Sequence, residues 1–414
     1  MLDIKLIREN PEIVKKSLER RHSDFPLDKL ISVDKKWRDS LQQMEKLKAV
    51  RNKVSLEIAK KKDETKIKEM KKVNEDIKRL ETEVGELEAV EKMLMLALPN
   101  ILDASVPDGA GEQDNIELRR WGEPKKLDFP VKDHVDLGAS LDLIDIERAA
   151  KVSGARFYYL KSDLVRLNYS IMMFALNELA EKGYCPIEPP YMLSRKAIEG
   201  AVVLSAFEDT IYKIDKEDLY LIGTSEHAIA AMHMDEMLGN LPLKYAGISP
   251  CFRKEAGAHG KDTKGIFRVH QFDKVEQFIF CKPKDSPKYH EELIKNAEDL
   301  LKKLEIPHRV IVLCSADTGM VAAKTYDFEY WMPAQGKYRE GGSDSNCTDY
   351  QARRLNIKYD EAGKREFVHT LNSTAIATQR ALVAILENNQ QKDGSVLIPE
   401  ALQPYMGKKV IKRK

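Results

Sequence analysis

Two long apolar stripes, set among charged residues and almost free of glycine and proline, constrain this chain most. From Leu30 to Ile58, apolar residues recur near helical spacing at Leu30, Trp37, Leu41, Met44, Val54 and Ile58. From Ile67 to Leu94 the stripe is cleaner: Ile67, Met70, Val73, Ile77, Leu80, Val84, Leu87 and Leu94. Gaps alternating between three and four residues describe the seam of a coiled coil. Across the first hundred residues the only glycine is Gly85, and proline stands only at Pro11, Pro26 and Pro99. The polar stretch Ala59 to Lys66 carries no stripe and reads as a turn, so the expectation is an antiparallel helical hairpin. At about 1.5 Å per residue each stripe runs roughly 40 Å, which predicts an arm that projects. Between Lys48 and Leu80, twelve Lys and Arg face six Asp and Glu, and Glu81 to Glu91 holds five Glu and no base. A charge run is ordinarily a solvated helix face. On the outer part of an arm, a basic surplus also suits a polyanion.

The rest of the 414 residues reads differently. Pro99, Pro107, Pro124 and Pro130, with Gly109, Gly111 and Gly122, mark a boundary between residues 95 and 130. Beyond it an amphipathic helix is expected from Leu164 to Lys182, ending at Gly183. Strands are expected over Leu219–Ile222, Ile266–Phe280 and Arg309–Val312, and helices over Ser225–Leu238, Ser286–Leu304 and Thr378–Asn389. That mixture predicts an antiparallel α+β domain. Neither a dinucleotide-binding glycine motif nor a P-loop occurs. Lys and Arg number 68 against 67 Asp and Glu, so a generally basic nucleic-acid coat protein is excluded. No run of about eighteen apolar residues predicts a membrane span, and MLDIKLIREN lacks the apolar core of a secretory signal. Five scattered cysteines without a CxxC argue against a disulfide framework or zinc knuckle and for a reducing cytoplasm. The basic end, Lys408 to Lys414, reads as an unstructured tail, and His227, His233, Trp121 and Trp331 as ordinary helix or packing residues.

The chemistry concentrates between Ser249 and Phe280, where two β-like segments flank a glycine-bearing loop, Ala256 to Gly265. With a period of two, Arg268, Phe272 and Glu276 share a face, as do Arg253 and Glu255 on the preceding segment. Mixed charge on a surface ladder is the plain reading. Two arginines, an aromatic ring and two carboxylates also suit a ligand carrying phosphate, an aromatic base and an amine.

These residues resemble motif 2 of the class II aminoacyl-tRNA synthetases, and within them the seryl-tRNA synthetase family. Gly183 to Ser194, with Pro190, resembles motif 1, the dimer-interface segment. Thr224-Ser225-Glu226 resembles the family's Thr-x-Glu loop, Arg339 to Arg354 its metal- and ATP-binding stretch, and Leu371 to Glu387 motif 3. The N-terminal hairpin resembles the family's coiled-coil arm. The fold implied is therefore α+β: an antiparallel helical coiled-coil hairpin (residues 1–105), a linker and entry (106–160), and a class II domain on a mainly antiparallel sheet flanked by helices (161–414). The activity implied is ATP-dependent attachment of L-serine to tRNA(Ser), and to tRNA(Sec) where the host has it, through a seryl-adenylate in a cytoplasmic homodimer. Arg253, Arg268 and Arg380 would be catalytic. Lys254, Glu255, Val269, Phe272, Glu340, Gly341, Gly342 and Ser343 would complete the ATP site, with Mg²⁺ on Glu340 and Ser343 and no zinc. Serine would meet Thr224, Ser225, Glu226, Arg253, Glu276, Asn372 and Thr374, although Asn372-Ser373-Thr374 also reads as a helix N-cap. Gly341 stands where the family more often has a larger apolar residue, and Asn372-Ser373-Thr374 resembles archaeal members. The rival reading is a synthetase-like ligase that loads an amino acid onto a carrier protein; such enzymes lack the arm.

Overall fold

The computed structural model describes residues 1–61, 63–255 and 264–413. They divide into two compact units: Leu2–Glu19 with Ser23–Leu98, and Met1, Arg20–His22 and Pro99–Lys414.

The first unit is helical. Two short helices, α1 (Ile4–Glu9) and α2 (Pro11–Arg20), precede a pair of 34-residue helices, α3 (Leu27–Lys60) and α4 (Glu64–Ala97). Leu30 and Met44 of α3, and Ile77, Leu80 and Leu94 of α4, are buried, so the stripes are the packed faces. The tip is shorter than expected. Lys and Ala are good helix formers, so α3 runs on through Lys60. Asp63 restarts the chain as an N-cap, its Oδ1 accepting from Thr65 N at 3.0 Å and Lys66 N at 3.2 Å. Cross-helix pairs such as Lys48–Glu81 (2.8 Å) are exposed and contribute little. Asp34 is the exception: buried on α3, it accepts from Arg8 Nε at 3.0 Å and Arg38 Nε at 3.1 Å, which ties α1 to α3. Neither α1 nor α2 was legible as a stripe, being too short to show one.

The second unit is built on an eight-stranded sheet. Its strands are β1 (Ile116–Trp121), β2 (Cys185–Ile187), β3 (Leu243–Phe252), β4 (Gln271–Cys281), β5 (His308–Val312), β6 (Lys324–Met332), β7 (Lys337–Asn346) and β8 (His369–Ala377). Their order is β1-β5-β6-β7-β8-β4-β3-β2, antiparallel throughout except that β2 pairs parallel with β3. The two-residue period of β4 sorts its side chains. Val275 and Ile279 join the main core with Leu137 of α5 (His134–Ser140) and with α6 (Asp163–Glu181), α8 (Ser286–Lys303) and α9 (Thr378–Asn388). Phe278 and Phe280 enter a second core with α7 (Ser225–Ala231), and on the same parity Phe272, Lys274 and Glu276 line a cavity.

Several expectations need correction. The strand expected from Ile266 begins only at Gln271, so Arg268 is not on the ladder. The helix expected to reach Leu238 ends at Ala231, and Met237–Leu238 is instead a short strand beyond a turn in which Asp235 has φ +65°. Residues 106–160, expected as a linker and entry, supply the edge strand β1. The basic end is ordered as far as Ile411: Val410–Ile411 pairs with Val396–Leu397, and Lys408 Nζ lies 2.7 Å from Asp163 Oδ2. Among the described residues no helix is long and apolar enough to cross a membrane.

Leu80 is 3% exposed at the α3–α4 seam. Leu80→Ala should destabilise the helical unit by about 2–4 kcal/mol, measurable as a lowered denaturation midpoint in the helical circular dichroism signal.

Candidate active site

Several segments converge on the cavity, of about 200 Å³. From β4 come Phe272, Lys274 and Glu276, and from β8 come Asn372 and Thr374. Register makes the two strands meet: Thr374 pairs with Glu276, and Asn372 with Phe278. Asn372 and Thr374 are therefore strand residues. The following helix is capped at Ala377, without a side-chain bond, so the N-cap reading fails. From β7 come Glu340, Gly341, Gly342 and Ser343; from the start of α9, Arg380; from the segments on either side of residues 256–263, Arg253, Glu255, Phe267, Arg268 and Val269. Of the expected glycine-bearing loop, Ala256 to Thr263 lies outside the described residues.

At one end carboxylates are taken out of water. Thr224 caps α7, its Oγ1 accepting from Glu226 N at 3.2 Å. Glu226 Oε1 accepts from Gln351 Nε2 at 2.9 Å and Asn372 Nδ2 at 3.1 Å. Glu276, 1% exposed, is ion-paired with buried Lys274. Burial, and then the neighbouring Glu276, push the Glu226 carboxyl up to about 7; burial likewise raises Glu276. A pocket with two buried carboxylates and one lysine retains acceptor capacity for a cation.

The other end is lined with arginines. Arg253 Nε donates to Gly223 O at 3.1 Å, and its guanidinium lies 5.2 Å from the Phe272 ring centroid. Its backbone is clamped to His270: Arg253 N donates to His270 O at 2.9 Å, and His270 Nδ1 donates back to Arg253 O at 2.9 Å. Arg268 pairs with Glu255. Arg380 Nη1 reaches Glu340 Oε1 at 2.9 Å and its carbonyl at 3.0 Å, and this guanidinium holds Glu340 below the usual carboxylate range.

Opposite Ser343 stands Asp327 of β6, whose Oδ1 is buried without a hydrogen-bond partner among the described residues. Burial, and then Glu340, push Asp327 well above its usual range. Hard oxygen donors with an orphaned buried atom beside them suit Mg²⁺. Among the described residues no cluster of three or more His, Cys, Asp or Glu is placed to hold a metal. A β-bulge makes Gly341 the extra residue of β7. A Cβ there would come 2.3 Å from the Tyr330 ring, which explains why no larger residue stands at this position.

Two expected site residues do not line the cavity. Lys254 turns away, its Nζ 3.3 Å from Glu208 O, and Ser225 is fully buried behind Thr224. Other lining residues carried no expectation, Phe267, Ser345 and Gln379 among them, and Lys274 and Gln351 are two further cases. Lys274 shares strand parity with Phe272 and Glu276, a signal that was present. Gln351 acts through Glu226 and carried no signal, because the contact spans 125 residues.

A second chamber, of about 360 Å³, shares Thr224, Glu226, Arg253 and Asn372 with the first and extends to Val202, Phe207, Ile211 and Met320. His227 lines it with Nδ1 unpartnered among the described residues; burial, then Arg253 and Lys274, push its ring down to about 3, so it is neutral at neutral pH. Burial raises the Cys347 thiol, which disfavours a thiolate nucleophile.

The chain resembles known proteins along nearly all of its length. Residues 1–102 match the seryl-tRNA synthetase N-terminal domain, and 209–389 the class II tRNA synthetase core domain of the G, H, P, S and T enzymes. The chain is 52% identical over 416 residues to a serine–tRNA ligase of Nitrosopumilus maritimus, covering 98% of this chain and 99% of that protein. The crystal structure of seryl-tRNA synthetase from Pyrococcus horikoshii complexed with ATP superposes with a TM-score of 0.94 at 48% identity, covering all of both chains. The cytoplasmic serine–tRNA ligase of Naegleria fowleri, in complex with AMP, gives 0.88 at 41%, covering 100% of this chain and 99% of that one.

With its pKa raised from 4.5 to about 7, Glu226 takes up a proton on folding between those values. Its contribution to stability is therefore largest below the lower value and is lost as pH rises through the upper one. Glu226→Gln should flatten the fall in Tm across that window and, above it, be at least as stable as the parent, as followed by thermal melts against pH.

Proposed function

The chain belongs to the seryl-tRNA synthetase family, and from that membership we propose how its residues divide the work of charging an RNA with serine. It is an ATP-dependent serine–tRNA ligase of class II. The observation that supports the assignment of roles is one cavity with arginines at one end and buried carboxylates at the other.

In the first step a serine carboxylate oxygen attacks the α-phosphorus of ATP and pyrophosphate leaves with the electron pair of the broken P–O bond. The nucleophile belongs to the substrate, so the protein's task is alignment and neutralisation of phosphate charge. Arg253, at the junction of both ends, bridges the α-phosphate and the serine carboxylate. Arg268 and Arg380 take the outgoing phosphates. Phe272 stacks on adenine, Glu255 accepts from its amino group, and Val269 meets it through the backbone. Glu340 and Ser343 would hold Mg²⁺, which when bound neutralises phosphate charge.

Serine is small, so its selection depends on hydrogen bonds rather than on volume. Glu226, Glu276, Thr224, Asn372 and Thr374 supply acceptors and donors for its ammonium and hydroxyl groups. In the second step a terminal ribose hydroxyl of the tRNA attacks the adenylate carbonyl and AMP leaves. The second chamber, which shares Thr224, Glu226, Asn372, Arg253, Glu255 and Arg268 with the first, is the approach for that ribose. Residues 1–105 grip the RNA, with the basic surplus of Lys48 to Leu80 facing phosphates. Recognition by such a grip extends to tRNA(Sec) where the host has it. The enzyme acts as a cytoplasmic homodimer through the region around Pro190. Exposed apolar side chains support such a contact: Tyr169 and Met173, one turn apart on α6, are 61% and 44% exposed.

Serine should drive exchange of pyrophosphate into ATP without tRNA; exchange driven by another amino acid would overturn the specificity. Arg253→Ala should cut that exchange about a hundred- to a thousandfold. Deleting Lys35 to Val90 should leave exchange intact and abolish transfer to RNA, with retained charging counting against the helical unit as the grip.

A further inference from the structure

Phe267, Arg268 and Val269 form part of the cavity wall, yet no ladder holds them, since β4 begins only at Gln271. A buried imidazole holds the chain just before them. Ile266 N donates to His134 Nε2 at 3.3 Å, and His134 Nδ1 lies 3.1 Å from Glu387 Oε1. Because Nε2 accepts, the ring proton sits on Nδ1 and is donated to Glu387. Glu387, 1% exposed on α9, also accepts from His134 N at 3.2 Å and, through Oε2, from Ala334 N at 3.2 Å. The residue before Ile266 is shaped to this ring. Gly265 has φ +81°, and a Cβ there would stand 1.9 Å from His134 Nε2. Next to His134, Lys132 N donates to Gln390 Oε1 and Gln390 Nε2 to Lys132 O, each at 2.9 Å, so the segment that carries the imidazole is itself stitched to the chain just past α9.

We propose that His134 is a positioning residue for ATP: it anchors Gly265 and Ile266 to α9, so that Phe267 and Arg268 keep their places beside Arg380. Helix α9 then serves both sides of the nucleotide site, carrying Arg380 at its start and, through Glu387 and His134, the wall that holds Arg268. The serine pocket depends on other segments, β4, β8 and the cap of α7, so the effect of losing the anchor is selective. The inference rests on reading the cavity as the ATP site.

The test is serine-dependent pyrophosphate exchange, with separate KM values for ATP and serine. His134→Ala should raise the KM for ATP about five- to tenfold, the size of one lost buried hydrogen bond, and leave the KM for serine within about twofold. His134→Gln, whose carbonyl oxygen reaches near the place of Nε2, should restore most of the loss, whereas His134→Asn, which reaches only Glu387, should not. Equal rises in both KM values, an unchanged KM for ATP, or equal behaviour of the Gln and Asn variants would overturn the proposal. If His134→Ala fails to fold, the Gln and Asn pair decides by the same criterion. Arg268→Ala should raise the KM for ATP whether or not His134 matters; if it does not, the reading of the cavity fails rather than the anchor.

Discussion

Taking Glu276 out of water is the constraint on which much of the site depends. A buried carboxylate is costly unless it is paired, and here Lys274 on the same strand face supplies the pair. That pair sits in the middle of β4, which β8 and β3 flank on either side, with Thr374 and Gly247 both opposite Glu276. Glu226 then arrives from the cap of α7, and burial, followed by the neighbouring Glu276, raises its proton affinity. Carboxylates taken out of water thus line one side of the cavity.

The arginine end is arranged differently, through backbone contacts. Arg253 lies just past the end of β3 and Arg268 just before β4, where the ladder is open. Their positions are fixed by imidazoles: His270 clamps the backbone of Arg253, and His134 holds the chain ahead of Arg268. Bulges complete the arrangement. The one on β7 admits Gly341 against the Tyr330 ring and turns Glu340 towards Arg380. Irregular backbone beside a regular sheet is how such sites aim side chains.

Legibility in the sequence followed the range of the interaction. The α3 and α4 stripes were readable because a seam repeats along the 34 residues of each helix, whereas α1 and α2 span six and ten residues and show no comparable repeat. Phe272 and Glu276 were readable from strand parity, and Lys274 could have been. Arg268 was placed on the correct wall for the wrong reason, since a bend and not a strand carries it there. Lys254 was misplaced because adjacency to Arg253 says nothing about direction once the ladder ends. The basic end was misread because a strand pairing of two residues has no signature of its own.

By itself, the sequence determined the helical pairing, the α+β character of the remainder and the chemical types at the site, since periodicity and motif spacing are local properties of a chain. Tertiary structure alone decided that Gln351 would orient Glu226, that Asp327 would stand behind Ser343, and that His134 would meet Ile266 across 132 residues. Each of those contacts joins segments with no shared period. A buried polar group takes whatever partner the packed sheet and helices bring within about 3 Å.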